Sequence, residues 1–308
     1  MGAAQSAPPF EGELPEALAS RYFKSSASGL LLHHRTWPAV GAPKAVVYLV
    51  HGLGEHVGRY TALAAALTAA HYTVHALDLA GHGASHGERG YVESLAACVA
   101  DVLEFAARVA PAPPGAPRFL LGHSFGGLVA LRAAQAPAGA ALFRGAVLSA
   151  PALVPDPALA TPFNVFLARH LTRLLPKLPV APLDARKVCS DARVVAAYER
   201  DPLVHHGAMR VRTGQEISEG MDAARAAAPA MALPLLLLHG TADELCLVAG
   251  SRALAAARAA ARGDCALVEY GGGALHEILN EPGCAAAATA EIIGWLDARA
   301  APSAAAVL

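Results

Sequence analysis

Runs of unbroken apolar residues alternate along this chain with segments whose apolar positions recur at helical spacing. Ala45–Val50, Tyr72–Leu77, Phe119–Leu121, Ala146–Ser149, Leu235–Leu238 and Cys265–Tyr270 are short and rich in Val, Leu and aromatic residues, which predicts strands buried on both faces. Between them, the spacing predicts helices over 60–70, 94–109, 128–134, 247–261 and 285–296, with Ser94 as an N-cap for the second. Leu30–Trp37 reads as the edge strand of a first hairpin. Strands alternating with helices argue for an α/β fold, a mostly parallel sheet covered on both sides. The alternation lapses over 151–230, where prolines are frequent. Apolar residues stand at helical spacing there: Phe163, Phe166, Leu167, Leu171, Leu174 and Leu175. That segment reads as a mainly helical lid inserted into a core formed by 21–150 and 231–300, and residues 1–20, rich in Pro, Ala and Gly, read as a flexible tail.

Composition narrows the function classes. Lys plus Arg number 24 and Asp plus Glu 25, a net charge of −1, so no basic surface for nucleic acid is indicated. The five cysteines show no CxxC spacing and are odd in number, which points away from a disulfide framework or zinc site and toward a reducing, cytoplasmic setting. No run has transmembrane length, and the N-terminus lacks the layout of a secretion signal. Met1-Gly2-Ala3-Ala4-Gln5-Ser6 fits M-G-x-x-x-[ST], the myristoylation pattern, although a plain small-residue tail is the simpler reading. An acyl chain at Gly2 would add peripheral membrane contact. Neither G-x-G-x-x-G nor G-x-x-x-x-G-K-[ST] occurs, so no nucleotide cofactor or metal is expected.

The chemistry centres on Gly122-His123-Ser124-Phe125-Gly126, a complete G-x-S-x-G between an apolar strand and a helix. Such a strand–turn–helix exposes the serine hydroxyl above the sheet, and only near-absent side chains fit on either side of it. A serine hydroxyl needs an imidazole to take its proton and a carboxylate to fix that imidazole's tautomer. Where this elbow is used, the acid and then the histidine follow in the chain. Asp243, directly after 235–238, fits the acid, with Glu244 as the alternative. His276, after 265–270, is the one histidine C-terminal to Asp243. The backbone N–H groups of Leu53 and Phe125 are placed to stabilise an oxyanion. Asp78 with His82, and Glu55 with His56, precede the serine and read as loop-shaping groups. His123 either meets a substrate hydroxyl or satisfies a buried loop.

Together with His51–Tyr60, Asp78–Ser85, Tyr198–Leu203 and Gly240–Cys246, the elbow makes the chain resemble monoacylglycerol lipases, in the α/β-hydrolase group that also holds lysophospholipases, over about residues 20–298. The resemblance implies an α/β-hydrolase fold and cleavage of the ester of a single-chain acylglycerol by Ser124, Asp243 and His276, without a cofactor. It also implies Glu55, Arg59, His123 and Tyr198 at the glycerol end. The lid face 163–175 would line an acyl channel or rest on a membrane surface, with Arg169, Arg173 and Lys177 at the headgroups; an ordinary packed helix is the plainer reading. An alternative is that the same face pairs two subunits as a homodimer. Cys246 matches a cysteine that thiol reagents reach in the animal enzyme, whereas His205 stands where a second such cysteine is found, and the 271–275 lead-in to His276 departs from the family pattern. Lysophospholipase, carboxylesterase or acyltransferase activity on the same three residues, or a silent ligand-binding module, are the rival functions.

Overall fold

Strand β3 (Ala45–Val50) is buried along its whole length, and its side chains divide between two cores. Val46, Tyr48 and Val50 enter one, and Ala45, Val47 and Leu49 the other. That is the environment a continuous apolar run requires: a strand covered on both faces. The computed structural model describes residues 16–155, 157, 161 and 172–300.

Eight strands form the main sheet. They are β1 (Tyr22–Lys24), β2 (Leu31–Trp37), β3, β4 (Tyr72–Leu77), β5 (Arg118–His123), β6 (Gly145–Ser149), β9 (Leu235–Gly240) and β10 (Cys265–Tyr270), in the spatial order β1-β2-β4-β3-β5-β6-β9-β10. The first two junctions, β1/β2 and β2/β4, are antiparallel and the rest are parallel. This is an α/β-hydrolase fold. Leu31–Trp37 is not the edge expected from sequence. Three residues of β1 pair outside it, a strand too short to show any alternation of its own.

The chain turns from one side of β3 to the other when it passes from β4 to β5. The crevice at the C-terminal ends of β3 and β5 is therefore the switch point at which such sheets place ligands. The loop 51–56 leaves β3 there, and the helix Ser124–Gln135 leaves β5 there.

The helix read over 94–109 is α-helical for Leu95–Glu104 and widens into a π-helical turn over Phe105–Val109; Ser94 caps it by accepting from the Ala97 N–H. The segment 151–230 is not wholly helical. It carries an antiparallel pair, β7 (Pro179–Ala181) with β8 (Met209–Arg210), as well as the helices Ala192–Arg200 and Val211–Ala227. The second of these belongs to the core layer: a Cβ at Gly220 would sit 2.1 Å from Leu95 Cδ2, and Met221 and Ala224 join the same apolar cluster as Leu128. Residues 16–19 of the expected tail form a helical turn. Phe163, Phe166, Leu167, Arg169, Leu171 and the Gly2 motif lie outside the described residues. Leu174 and Leu175 are exposed at 77% and 50%. Among the described residues no helix is long and apolar enough to cross a membrane.

Candidate active site

Ser124 begins its helix in a left-handed backbone conformation, φ +54°. For a residue with a side chain this conformation is strained, and it persists only where the surroundings enforce it. The enforcement comes from backbone crowding. A Cβ at Gly122 would lie 2.3 Å from the Gly126 carbonyl oxygen, and one at Gly126 would lie 2.2 Å from the His51 carbonyl oxygen and 2.3 Å from that of Val50. The glycines of G-x-S-x-G thus let the helix press onto the ends of β5 and β3. The Ser124 carbonyl is held by the Ala152 N–H at 3.0 Å.

Asp243 and His276 follow adjacent parallel strands, β9 and β10. His276 Nδ1 donates to Asp243 Oδ2 at 2.7 Å, and both side chains are buried. The other carboxylate oxygen, Oδ1, accepts the N–H groups of Leu245 (2.8 Å) and Cys246 (3.0 Å). Burial alone would raise the Asp243 pKa, but the His276 charge and these donors outweigh it and hold the carboxyl well below the usual range. His276 shifts the opposite way: burial disfavours its cation, yet the Asp243 charge and hydrogen bond prevail and raise its pKa above the ordinary value. Glu244, the alternative acid, instead faces Lys187 at 3.1 Å and is exposed.

The Ser124 hydroxyl rests 3.9 Å from Cys246 Sγ. It makes no hydrogen bond to His276. Burial pushes the Cys246 thiol far up, so it sits beside the serine as a neutral group.

The β3 loop closes on the elbow. A Cβ at Gly52 would lie 3.2 Å from Ser124 Cβ, which measures how near that backbone comes. Leu53 donates its N–H to no backbone or side-chain acceptor among the described residues. Phe125 is the second residue of its helix, where the N–H has no intrahelical acceptor. Neither N–H has an acceptor among the described residues, and Leu53 follows the glycine that lies against Ser124.

Glu55, Arg59, His123 and Tyr198 do come together. Glu55 Oε1 accepts from the Gly52 N–H (2.6 Å) and the Tyr60 hydroxyl (2.5 Å), while Oε2 receives Arg59 Nη1 at 2.5 Å. Burial would raise the Glu55 pKa, but the Arg59 charge, with His123 and His51, brings it down to about 2. Arg59 also binds Glu277 through both terminal nitrogens, at 2.5 and 2.8 Å, and its guanidinium lies 4.8 Å above the Tyr198 ring. Both Glu55 oxygens thus have partners within the protein. Arg59 ties the loop after β3 to the loop that carries His276. His123 packs its ring 4.7 Å from that of His276 and directs Nδ1 to the Ser149 carbonyl at 3.2 Å; burial, then the His276 charge, lowers it to about 3.

Asp78 accepts from Val57 N–H (2.8 Å) and Ala84 N–H (2.9 Å) and pairs with His33 at 2.8 Å, so it shapes loops as expected. His56 pairs with Asp201 at 2.8 Å rather than with Glu55. A cavity of about 50 Å³ opens beside Leu53, lined also by Gly90, Leu183, Tyr198, His205 and Met209. Among the described residues no group of three or more His, Cys, Asp or Glu side chains is arranged to hold a metal ion.

Residues 41–283 match the family model described as serine aminopeptidase, S33. The chain belongs to this family. It is similar to the human monoglyceride lipase, with 39% identity over 222 residues that cover 72% of each chain. It is also 37% identical to the monoacylglycerol lipase of Mycolicibacterium smegmatis over 264 residues, 85% of this chain and 92% of that one. Among solved structures, the monoacylglycerol lipase of Paleococcus ferrophilus superposes with a TM-score of 0.78 at 32% identity, covering 87% of this chain and 99% of that one. This S33-family chain is a serine ester hydrolase.

Three neighbours of the site were not singled out from sequence. Glu277, next to His276, is the second partner of Arg59. Glu281 receives the Leu275 N–H at 3.2 Å and holds the lead-in to His276. His239, at the end of β9, reaches Asp243 Oδ2 at 3.2 Å. The signal for the last was its position four residues before the acid, on a strand end.

Proposed function

We propose that this chain hydrolyses monoacylglycerols to a fatty acid and glycerol through an acyl-enzyme on Ser124. His276 takes the Ser124 proton as Oγ attacks the acyl carbonyl carbon. The resulting oxyanion is held by the N–H groups of Leu53 and Phe125. Collapse of the tetrahedral adduct breaks the ester C–O bond, and the proton on His276 passes to the departing glycerol oxygen. A water molecule then gives its proton to His276 and its oxygen to the acyl carbon, and a second collapse returns the proton to Ser124. Asp243 stays ionised throughout and stabilises the imidazolium.

The observation that carries this reading is the 2.7 Å hydrogen bond of His276 to Asp243 at the strand ends beside the strained Ser124 elbow. The substrate class draws support from the three lipase relatives and from the apolar cavity beside Leu53. Tyr198 lines that cavity, and the Arg59 guanidinium lies 4.8 Å above its ring. A long acyl chain favours an apolar slot by roughly 0.8 kcal/mol per CH₂ buried.

The test is a hydrolysis panel of mono-, di- and triacylglycerols, lysolipids and short carboxylic esters, run with the wild type and S124A. Monoacylglycerols are expected to be turned over fastest and S124A to be inactive. Full activity in S124A, or a preference for diacyl or triacyl substrates, would overturn the reading.

A further inference from the structure

We propose that His239 is a positioning residue for the acid of this site: it shares the Asp243 carboxylate with His276 and thereby sets how strongly that carboxylate holds a proton on the base. The inference rests on the reading of Ser124, His276 and Asp243 given above.

His239 is the penultimate residue of β9 and is completely buried, as is Ser251 in the first turn of the helix Val248–Ala260. Its Nε2 lies 2.7 Å from the Cys246 carbonyl oxygen and 3.2 Å from Asp243 Oδ2. Both neighbours are acceptors, so Nε2 carries the hydrogen. Nδ1 lies 2.8 Å from Ser251 Oγ, whose hydroxyl can donate to it. Ser251 thereby satisfies the second ring nitrogen and holds the ring with Nε2 at the Cys246 carbonyl, beside the acid. Asp243 then has three full N–H donors, the His276 imidazole on Oδ2 and the Leu245 and Cys246 amides on Oδ1, and the His239 Nε2–H, bonded to the Cys246 carbonyl, stands beside Oδ2 at 3.2 Å. A carboxylate so fully solvated by the protein is a weak proton acceptor. It orients His276 without taking its proton, and its pull on the imidazolium is moderated by the share given to His239.

The titratable groups facing His239 are Asp243, Cys246 and, across the ladder on β10, its register partner Glu269, which is itself paired with Arg252 at 2.5 Å. Those facing His276 are Asp243, Glu277, Glu55 and His123. Loss of the His239 N–H leaves more of the Asp243 charge to His276, so the base gives up its proton at higher pH.

The experiment follows kcat/KM for a p-nitrophenyl ester, and the rate of Ser124 labelling by a fluorophosphonate, against pH for the wild type, H239L, H239Q and S251A. Circular dichroism establishes that each variant is folded. In H239L the acid limb is expected to move up by about 0.5–1 pH unit, which is a 3- to 10-fold loss of rate below that limb. The Gln amide also presents an N–H, so H239Q is expected to keep the wild-type limb. S251A, which removes the partner that holds the His239 ring at Nδ1, is expected to move it part of the way. A residue that only fills space would lower the plateau without moving the limb. An unmoved limb in H239L, or a limb in H239Q displaced as far as in H239L, overturns the proposal. If H239L does not fold, an unmoved limb in S251A does so. S124A separates the two readings: its activity tests the nucleophile alone, whatever the position of the limb.

Discussion

Replacing Glu55 by Gln probes the ion network behind the site, because the amide keeps the shape and changes one charge. Gln can still accept the Gly52 N–H and the Tyr60 hydroxyl at Oε1, but it turns an NH₂ toward Arg59 where Oε2 had been. Breaking a buried ion pair by removing one partner costs about 3–5 kcal/mol when the surviving charge is stranded. Here Arg59 keeps both bonds to Glu277, so the cost of E55Q is expected to be smaller, about 2–3 kcal/mol. E277Q leaves Arg59 on Glu55 and is expected to cost a similar amount. The double variant leaves a guanidinium with only 11% of its side chain exposed and neither of these carboxylates beside it. Its loss is therefore expected to exceed the sum of the single losses by about 1–3 kcal/mol.

The pH dependence has a definite sign. The Glu55 pKa is depressed in the folded protein, from 4.5 to about 2. That shift stabilises the folded protein at neutral pH. The contribution is fully present above about pH 4.5 and is lost as pH falls toward 2. The stability gap between wild type and E55Q should stay constant from pH 8 to about 5 and narrow below that. Urea unfolding at several pH values measures all of this. A single-variant loss under about 0.5 kcal/mol, or a double variant whose loss merely equals the sum, would refute the idea that one buried guanidinium joins the two loops.

Gly126→Ala places a Cβ against two backbone carbonyls and is expected to cost about 3 kcal/mol or more in chemical denaturation and to abolish fluorophosphonate labelling. Because the His276 pKa is raised, kcat/KM should fall with decreasing pH through a midpoint above 6.5, and D243N should lower kcat by about 10³–10⁴-fold; a wild-type midpoint below 6.5 would contradict the cited shift. His34, His75, His82 and His123 are lowered by burial, the last three to about 4, 3 and 3, so they stay neutral when folded and take up protons on unfolding below pH 6.5; the melting temperature should decline steadily from pH 6.5 to 4. Converting the exposed Leu174 and Leu175 to Ser is expected to weaken vesicle binding roughly 3- to 10-fold while leaving turnover of a dissolved short ester unchanged; co-sedimentation with vesicles and a p-nitrophenyl acetate assay measure the two effects.

The elbow could be read from sequence because its glycines answer a local demand: a Cβ on either would strike backbone a few residues away or on the next strand. Asp243 and His276 could be read because parallel strands bring the residues that follow them to one edge, and chain order left a single histidine for the base. The same logic fails where a side chain's role depends on a partner distant in sequence. Arg59 and Glu277 are separated by 218 positions, and neither stands in a run that marks it as half of a pair. Glu55 and Arg59 matched the polar end of a binding site by resemblance, and their hydrogen bonds add a second role that the resemblance did not carry. Glu55, through Arg59 and Glu277, links the loop beside the serine to the loop that carries the base. Such a link becomes visible only when the distance between the two loops is known, because its chemistry consists of holding that distance fixed.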